Sequence, residues 1–159
     1  MRQITARLIT GLAITAVGLF GADNSLGTWK RNVEQTKYTS ANPNPITSLI
    51  MVREAAEGGS ALKVTSTGQR KDGTKINYTF TARYDGKEYP VTGVGSVFDW
   101  FSTTQIDANT FPSVTTKGKY HMMGLTVISK DGKTMTISNK GTDADGKVTS
   151  FTVVWDRVH

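Results

Sequence analysis

Asp72 to Gly86 reads DGTKINYTFTARYDG, a run bracketed at both ends by Asp-Gly. Inside it Ile76, Tyr78, Phe80, Ala82 and Tyr84 fall on one face, and Asn77, Thr79, Thr81 and Arg83 fall on the other. A period of two with aromatic and β-branched residues describes a half-buried strand. Asp-Gly supplies the positive backbone angles that a tight hairpin turn needs. One strand and the two turns that end it are therefore written in fifteen residues.

The same punctuation recurs along the chain. Gly58-Gly59, Asp72-Gly73, Asp85-Gly86, Ala108-Asn109, Lys117-Gly118, Asp131-Gly132 and Asp145-Gly146 are turn signals, most of them about 10 to 14 residues apart. Between them Phe98, Trp100 and Ile106 share one face of SVFDWFSTTQI. Met135 and Ile137 oppose Thr134, Thr136 and Ser138, and Phe151, Val153 and Trp155 line up near the end. No helical period appears after residue 22. The pattern predicts an all-β chain, an antiparallel up-and-down meander of about 8–10 strands, over 26–32, 46–55, 60–69, 74–84, 87–92, 96–106, 110–117, 120–129, 133–141 and 147–157. An open sheet of that size would expose both edges and an apolar face, and closure into a barrel removes both problems. A two-layer sandwich with Greek-key crossings is the architectural alternative.

The first 22 residues read differently. Arg2 and Arg7 precede Leu8–Ala22, a stretch of 15 residues without a charge. That is short for a membrane span and suits the apolar region of a signal peptide, with cleavage near 18 or 22. An uncleaved N-terminal anchor is the competing reading. The expected organisation is a signal peptide over 1–22 and a single barrel domain over 23–159, exported to the periplasm or beyond the cell. There is no cysteine, so disulfides do not staple the fold.

The whole chain carries +6, and loss of Arg2 and Arg7 leaves +4. The lysines are scattered rather than clustered, which argues against a nucleic-acid surface. No Gly-x-Ser-x-Gly and no phosphate-cradling glycine loop occurs, and His121 and His159 have no third partner for a metal. Catalytic residues, metal and cofactor are therefore all expected to be absent. Asp99, set between Phe98 and Trp100, is expected to point outward. The turns are short for a membrane-spanning barrel, so no stable insertion of the mature chain is expected.

Gly27-Thr28-Trp29, on the first strand of such a meander, resembles the calycin superfamily of lipocalins and fatty-acid-binding proteins, and in particular short exported bacterial lipocalin-like proteins with GTWK behind a signal sequence. The resemblance implies a lipocalin-like β-barrel in which Gly27 and Trp29 close one end and Arg157, from the last strand, lies across the tryptophan. It also implies a small hydrophobic ligand in the interior. Pro43 and Pro45 exclude a second helix in the interval where fatty-acid-binding proteins place a lid. The Arg-x-Tyr pair with which those proteins hold a carboxylate falls on Val153 and Trp155.

Candidate cavity residues are Tyr78, Phe80, Ala82, Tyr84, Phe98, Trp100, Met135, Phe151 and Trp155. A barrel of this size is either filled by its side chains or holds one small ligand. A filled barrel would act instead as an interaction module, with the Asn42-Pro43-Asn44-Pro45 and Gly58 loops as contact surfaces and an unknown protein as partner.

Overall fold

A computed structural model of the chain describes residues 21–39 and 44–158. The signal-peptide reading falls almost wholly outside them, as does the Asn42-Pro43 half of the proline loop.

The described chain is all-β, with one short 3-10 turn at Glu57–Gly59. Its eleven strands are β1 (Gly27–Tyr38), β2 (Ile46–Ala56), β3 (Ala61–Arg70), β4 (Lys75–Arg83), β5 (Tyr89–Pro90), β6 (Thr92–Val94), β7 (Trp100–Thr103), β8 (Thr110–Lys117), β9 (Tyr120–Ile128), β10 (Thr134–Thr142) and β11 (Val148–Arg157). All belong to one antiparallel sheet that winds into a nearly closed, lipocalin-like barrel. Asp-Gly turns follow β3, β4, β9 and β10, and Gly73, Gly86, Gly132 and Gly146 all adopt the positive φ those turns require.

The first and last strands pair, with Trp29 opposite Arg157 and Arg31 opposite Trp155. The seam lies elsewhere. The segment carrying β5 and β6 gives its first half to β7 and its second half to β4. Gly93 makes the β6 approach: its φ is 115°, and a Cβ there would stand 2.2 Å from the Asn77 carbonyl oxygen. The expected long strands over 87–92 and 96–106 are thus fragments, interrupted by bends at the seam.

β1 also runs further than its expected end at residue 32. Its register against β11 slips between Asn32 and Lys37, a bulge that carries the strand on to Tyr38.

The core is concentrated towards one end. Trp29, Leu62, Ala82, Ile128 and Met135 pack there with at most 3% exposure. Towards the other end the inward side chains stand apart and leave a cavity.

Candidate functional site

The cavity measures about 610 Å³. Its deep part is walled by Met51, Val64, Phe80, Phe111, Met122, Val153 and Trp155. Its mouth lies among the loops that follow β1, β6, β8 and β10, where Ile46, Val97, Lys117 and Asp143 line it. Phe80 and Phe101 stack with centroids 4.3 Å apart, and Phe98 meets Tyr78 edge-on at 5.7 Å, so one wall is a continuous aromatic surface. Strand alternation produces this lining, since every other residue of each long strand points inward.

Of the candidate residues, Tyr78, Phe80, Phe98, Phe151 and Trp155 line this cavity. Four stand elsewhere. Ala82 and Met135 are fully buried in the packed end below it. Tyr84 sits at that end too, its hydroxyl donating to Asp23. Trp100 is a correction of facing: it is 45% exposed on the outer surface, and Phe101 takes the inward position. The bend at 95–99 breaks the alternation between Phe98 and β7, so the parity carried through from residue 98 fails. Ile106, assigned the same face, is 67% exposed. Asp99 is outside, paired with Lys117 at 2.8 Å between two half-exposed side chains.

The closed end is a polar plug built around Trp29. The indole is fully buried, and its Nε1 donates to the Ser25 carbonyl at 2.8 Å. Ser25 is itself fully buried; its hydroxyl accepts from Arg53 Nε at 3.1 Å and donates to Asp23 at 2.5 Å. Burial pushes Arg53 below the ordinary arginine range, opposed by Tyr84 and the Asp23 carboxylate nearby. Burial, with the Asp23 carboxylate accepting its proton in a hydrogen bond, pushes Tyr84 well above the usual tyrosine value. Arg157 covers the tryptophan from outside, with its guanidinium carbon 4.1 Å from the ring centroid.

Three arginines reach the cavity wall, and no reading of the sequence singled them out: Arg31, Arg53 and Arg70. The signal was present. Arg31 follows Trp29 by two and Arg53 follows Met51 by two, so each repeats the parity of an inward neighbour. Arg70 sits near the mouth and donates to the carbonyls of Asn44 and Gly95 at 3.4 and 3.3 Å.

No protein-family model and no curated protein matches this chain. Solved structures do share its shape. The S-type phycobiliprotein lyase CPES from Guillardia theta superposes with a TM-score of 0.53 at 11% identity, over 86% of this chain and 89% of that one. EF1p2_mFAP2b bound to DFHBI superposes with a TM-score of 0.48 at 9% identity, over 85% of this chain and 94% of that one. At such identities the likeness concerns the fold alone. The fold is calycin-like.

Proposed function

We propose that this protein is an exported, non-enzymatic barrel that binds one small apolar or amphipathic molecule in its interior. The observation that carries the reading is the cavity. Ligand sites in proteins usually enclose about 300–1,000 Å³, lined mainly by apolar and aromatic side chains with a few placed polar groups. The 610 Å³ space here has that composition and opens at one end of a barrel whose other end is plugged. The alternative, a filled barrel acting through its loops, needed Phe80, Trp100 and Phe151 to occupy the interior. Trp100 is on the outside, and Phe80 and Phe151 line open space.

The test is titration of the purified protein with the uncharged dye N-phenyl-1-naphthylamine. Saturable binding at one site, with quenching of tryptophan emission, is expected, because Trp155 forms part of the wall. Dye emission that never saturates, or no binding, returns the reading to the interaction module.

A further inference from the structure

Gly124 stands in the middle of β9 without a positive φ, so no turn asks for glycine there. Gly68 and Gly141, also inside long strands, are explained by their neighbours. A Cβ at either would strike a backbone carbonyl oxygen, of Ser48 and of His121. At Gly124 no backbone intrudes. A Cβ would meet two side-chain oxygens instead, Ser113 Oγ at 2.6 Å and Asn139 Oδ1 at 3.0 Å. Those residues are its partners on β8 and β10, so the three form one row across adjacent strands. Ser113 and Asn139 line the cavity. The missing Cβ therefore leaves a notch in the cavity wall with an oxygen on either side. Glycine inside a strand weakens it and often marks the close approach of a ligand or another backbone.

Both oxygens have accepting capacity to spare. Among the described residues Ser113 makes no side-chain hydrogen bond, and Asn139 makes one, from Nδ2 to the Ile137 carbonyl at 3.4 Å. That bond occupies the amide nitrogen and leaves Oδ1 at the notch. Both residues face inward yet are only half-buried, so the surface they keep is cavity surface. Two acceptors side by side select a donor. A carboxylate in the notch would face an oxygen on each side. An ammonium would enter a cavity whose wall carries Arg31, Arg53 and Arg70 against one carboxylate, Asp143. An uncharged N–H or O–H group meets neither penalty.

We propose that Ser113, Gly124 and Asn139 form the polar subsite of the cavity, and that the ligand is an uncharged aromatic molecule whose polar end is an N–H or O–H donor. The donor group enters the notch and is accepted by Asn139 Oδ1 and Ser113 Oγ. The ring lies against Phe151, which continues the row on β11, and Phe101, one row nearer the mouth. This inference rests on the ligand-binding reading above and adds the ligand's polar chemistry and its orientation.

The experiment is calorimetric titration with 2-naphthamide, 2-acetonaphthone and 2-naphthoate. These share one ring system and carry an amino group, a methyl group or an anionic oxygen on the same carbonyl carbon. The amide is expected to bind about three- to tenfold more tightly than the ketone, the worth of a neutral hydrogen bond, and more tightly than the anion. In Asn139→Leu the amide falls to the ketone's affinity or below it, while the ketone is held as well or better. Gly124→Ala fills the notch and also abolishes the amide's preference. Ser113 can turn aside from the new methyl group, so this is the second variant should Asn139→Leu fail to fold. Both variants should melt close to the parent, because only one long hydrogen bond is given up, and this separates loss of the subsite from loss of the fold. Equal affinity for amide and ketone in the parent, tighter binding of naphthoate, or an amide preference that survives in either variant overturns the subsite. The cavity reading then stands if N-phenyl-1-naphthylamine still binds, and absence of dye binding in the parent overturns both.

Discussion

The Arg157 guanidinium lies over the Trp29 ring, 4.1 Å from carbon to centroid, and simultaneously donates to three backbone carbonyls. Those acceptors are Gly132 at 2.5 Å, Leu26 at 2.7 Å and Asn24 at 2.7 Å. One side chain of the last strand thereby ties together the N-terminal segment, the β9–β10 turn and the buried tryptophan.

Trp29→Ala is expected to cost about 3–5 kcal/mol, the range for deleting a large buried aromatic. A double-mutant cycle with Arg157→Ala in denaturant should give a coupling of about 0.5–2 kcal/mol, the scale of a partly desolvated cation–π pair. Arg157→Lys should rescue little, because an ammonium does not reproduce the planar fork that reaches three carbonyls. Zero coupling would remove the stacking from the account.

Gly27 lies beneath that arginine. Its φ is 129°, and a Cβ there would fall 2.5 Å from Arg157 Nη1. Gly27→Ala should cost about 1–3 kcal/mol from backbone strain, plus the displacement of Arg157. The same substitution should cost less in an Arg157→Ala background, and equal costs in both backgrounds would show that the contact is immaterial.

Ala82 and Ser113 both follow the inward alternation, yet they should respond differently to enlargement. Ser113→Phe projects into open space and should weaken dye binding at little cost in stability. Ala82 is fully buried beside Leu62 in the packed end, so Ala82→Phe should overpack the core at about 1–3 kcal/mol. Paired melting and dye titrations of the two variants check this.

Tyr84 makes the stability curve fall on the alkaline side. Its folded-state proton is held above the usual tyrosine value near 10, by burial and by the Asp23 hydrogen bond. The folded state then binds more protons than the unfolded state above about pH 10, so this contribution is complete below that pH and declines as pH rises. Tyr84→Phe should cost about 1 kcal/mol at pH 7, the worth of one hydrogen bond. The gap to the parent should narrow above pH 10. Tyr78 and Tyr120 are also raised by burial and remain in the variant, so the alkaline limb flattens without vanishing. A gap that is constant with pH would show that Tyr84 does not titrate differently in the two states.

Export, proposed above, sets a boundary on processing. Ser25 supplies both the acceptor for Trp29 Nε1 and the acceptor for Arg53 Nε. Protein recovered from the cell envelope should therefore begin no later than Asp23 by N-terminal sequencing. Deletion of residues 1–22 should leave melting unchanged, whereas deletion through Ser25 should cost about 1–3 kcal/mol for each buried donor left unpaired. An intact Met1 in a membrane fraction would refute the export reading.

Local rules wrote most of the scaffold into the sequence. Regularly spaced turn signals located the eight long strands, from β1 to β4 and from β8 to β11, although β1 runs past its expected end, and the period of two assigned inward faces to Ile76, Tyr78, Phe80, Met135, Ile137, Phe151, Val153 and Trp155. Those features depend on neighbours one to four residues away, and a sequence displays such neighbours directly. Tertiary structure decided the rest. Alternation states which side of the sheet a residue faces but not how far along the barrel it sits, so Ala82 and Met135 read like Phe80 and Phe151 although the first two fill the floor and the others border open space. Parity also fails across a bend, which turned Trp100 outward and brought Phe101 in. The pairing of Arg31 with Trp155 joins residues 124 positions apart through the closure of β1 on β11. Only that closure sets the register which seats these two residues opposite one another.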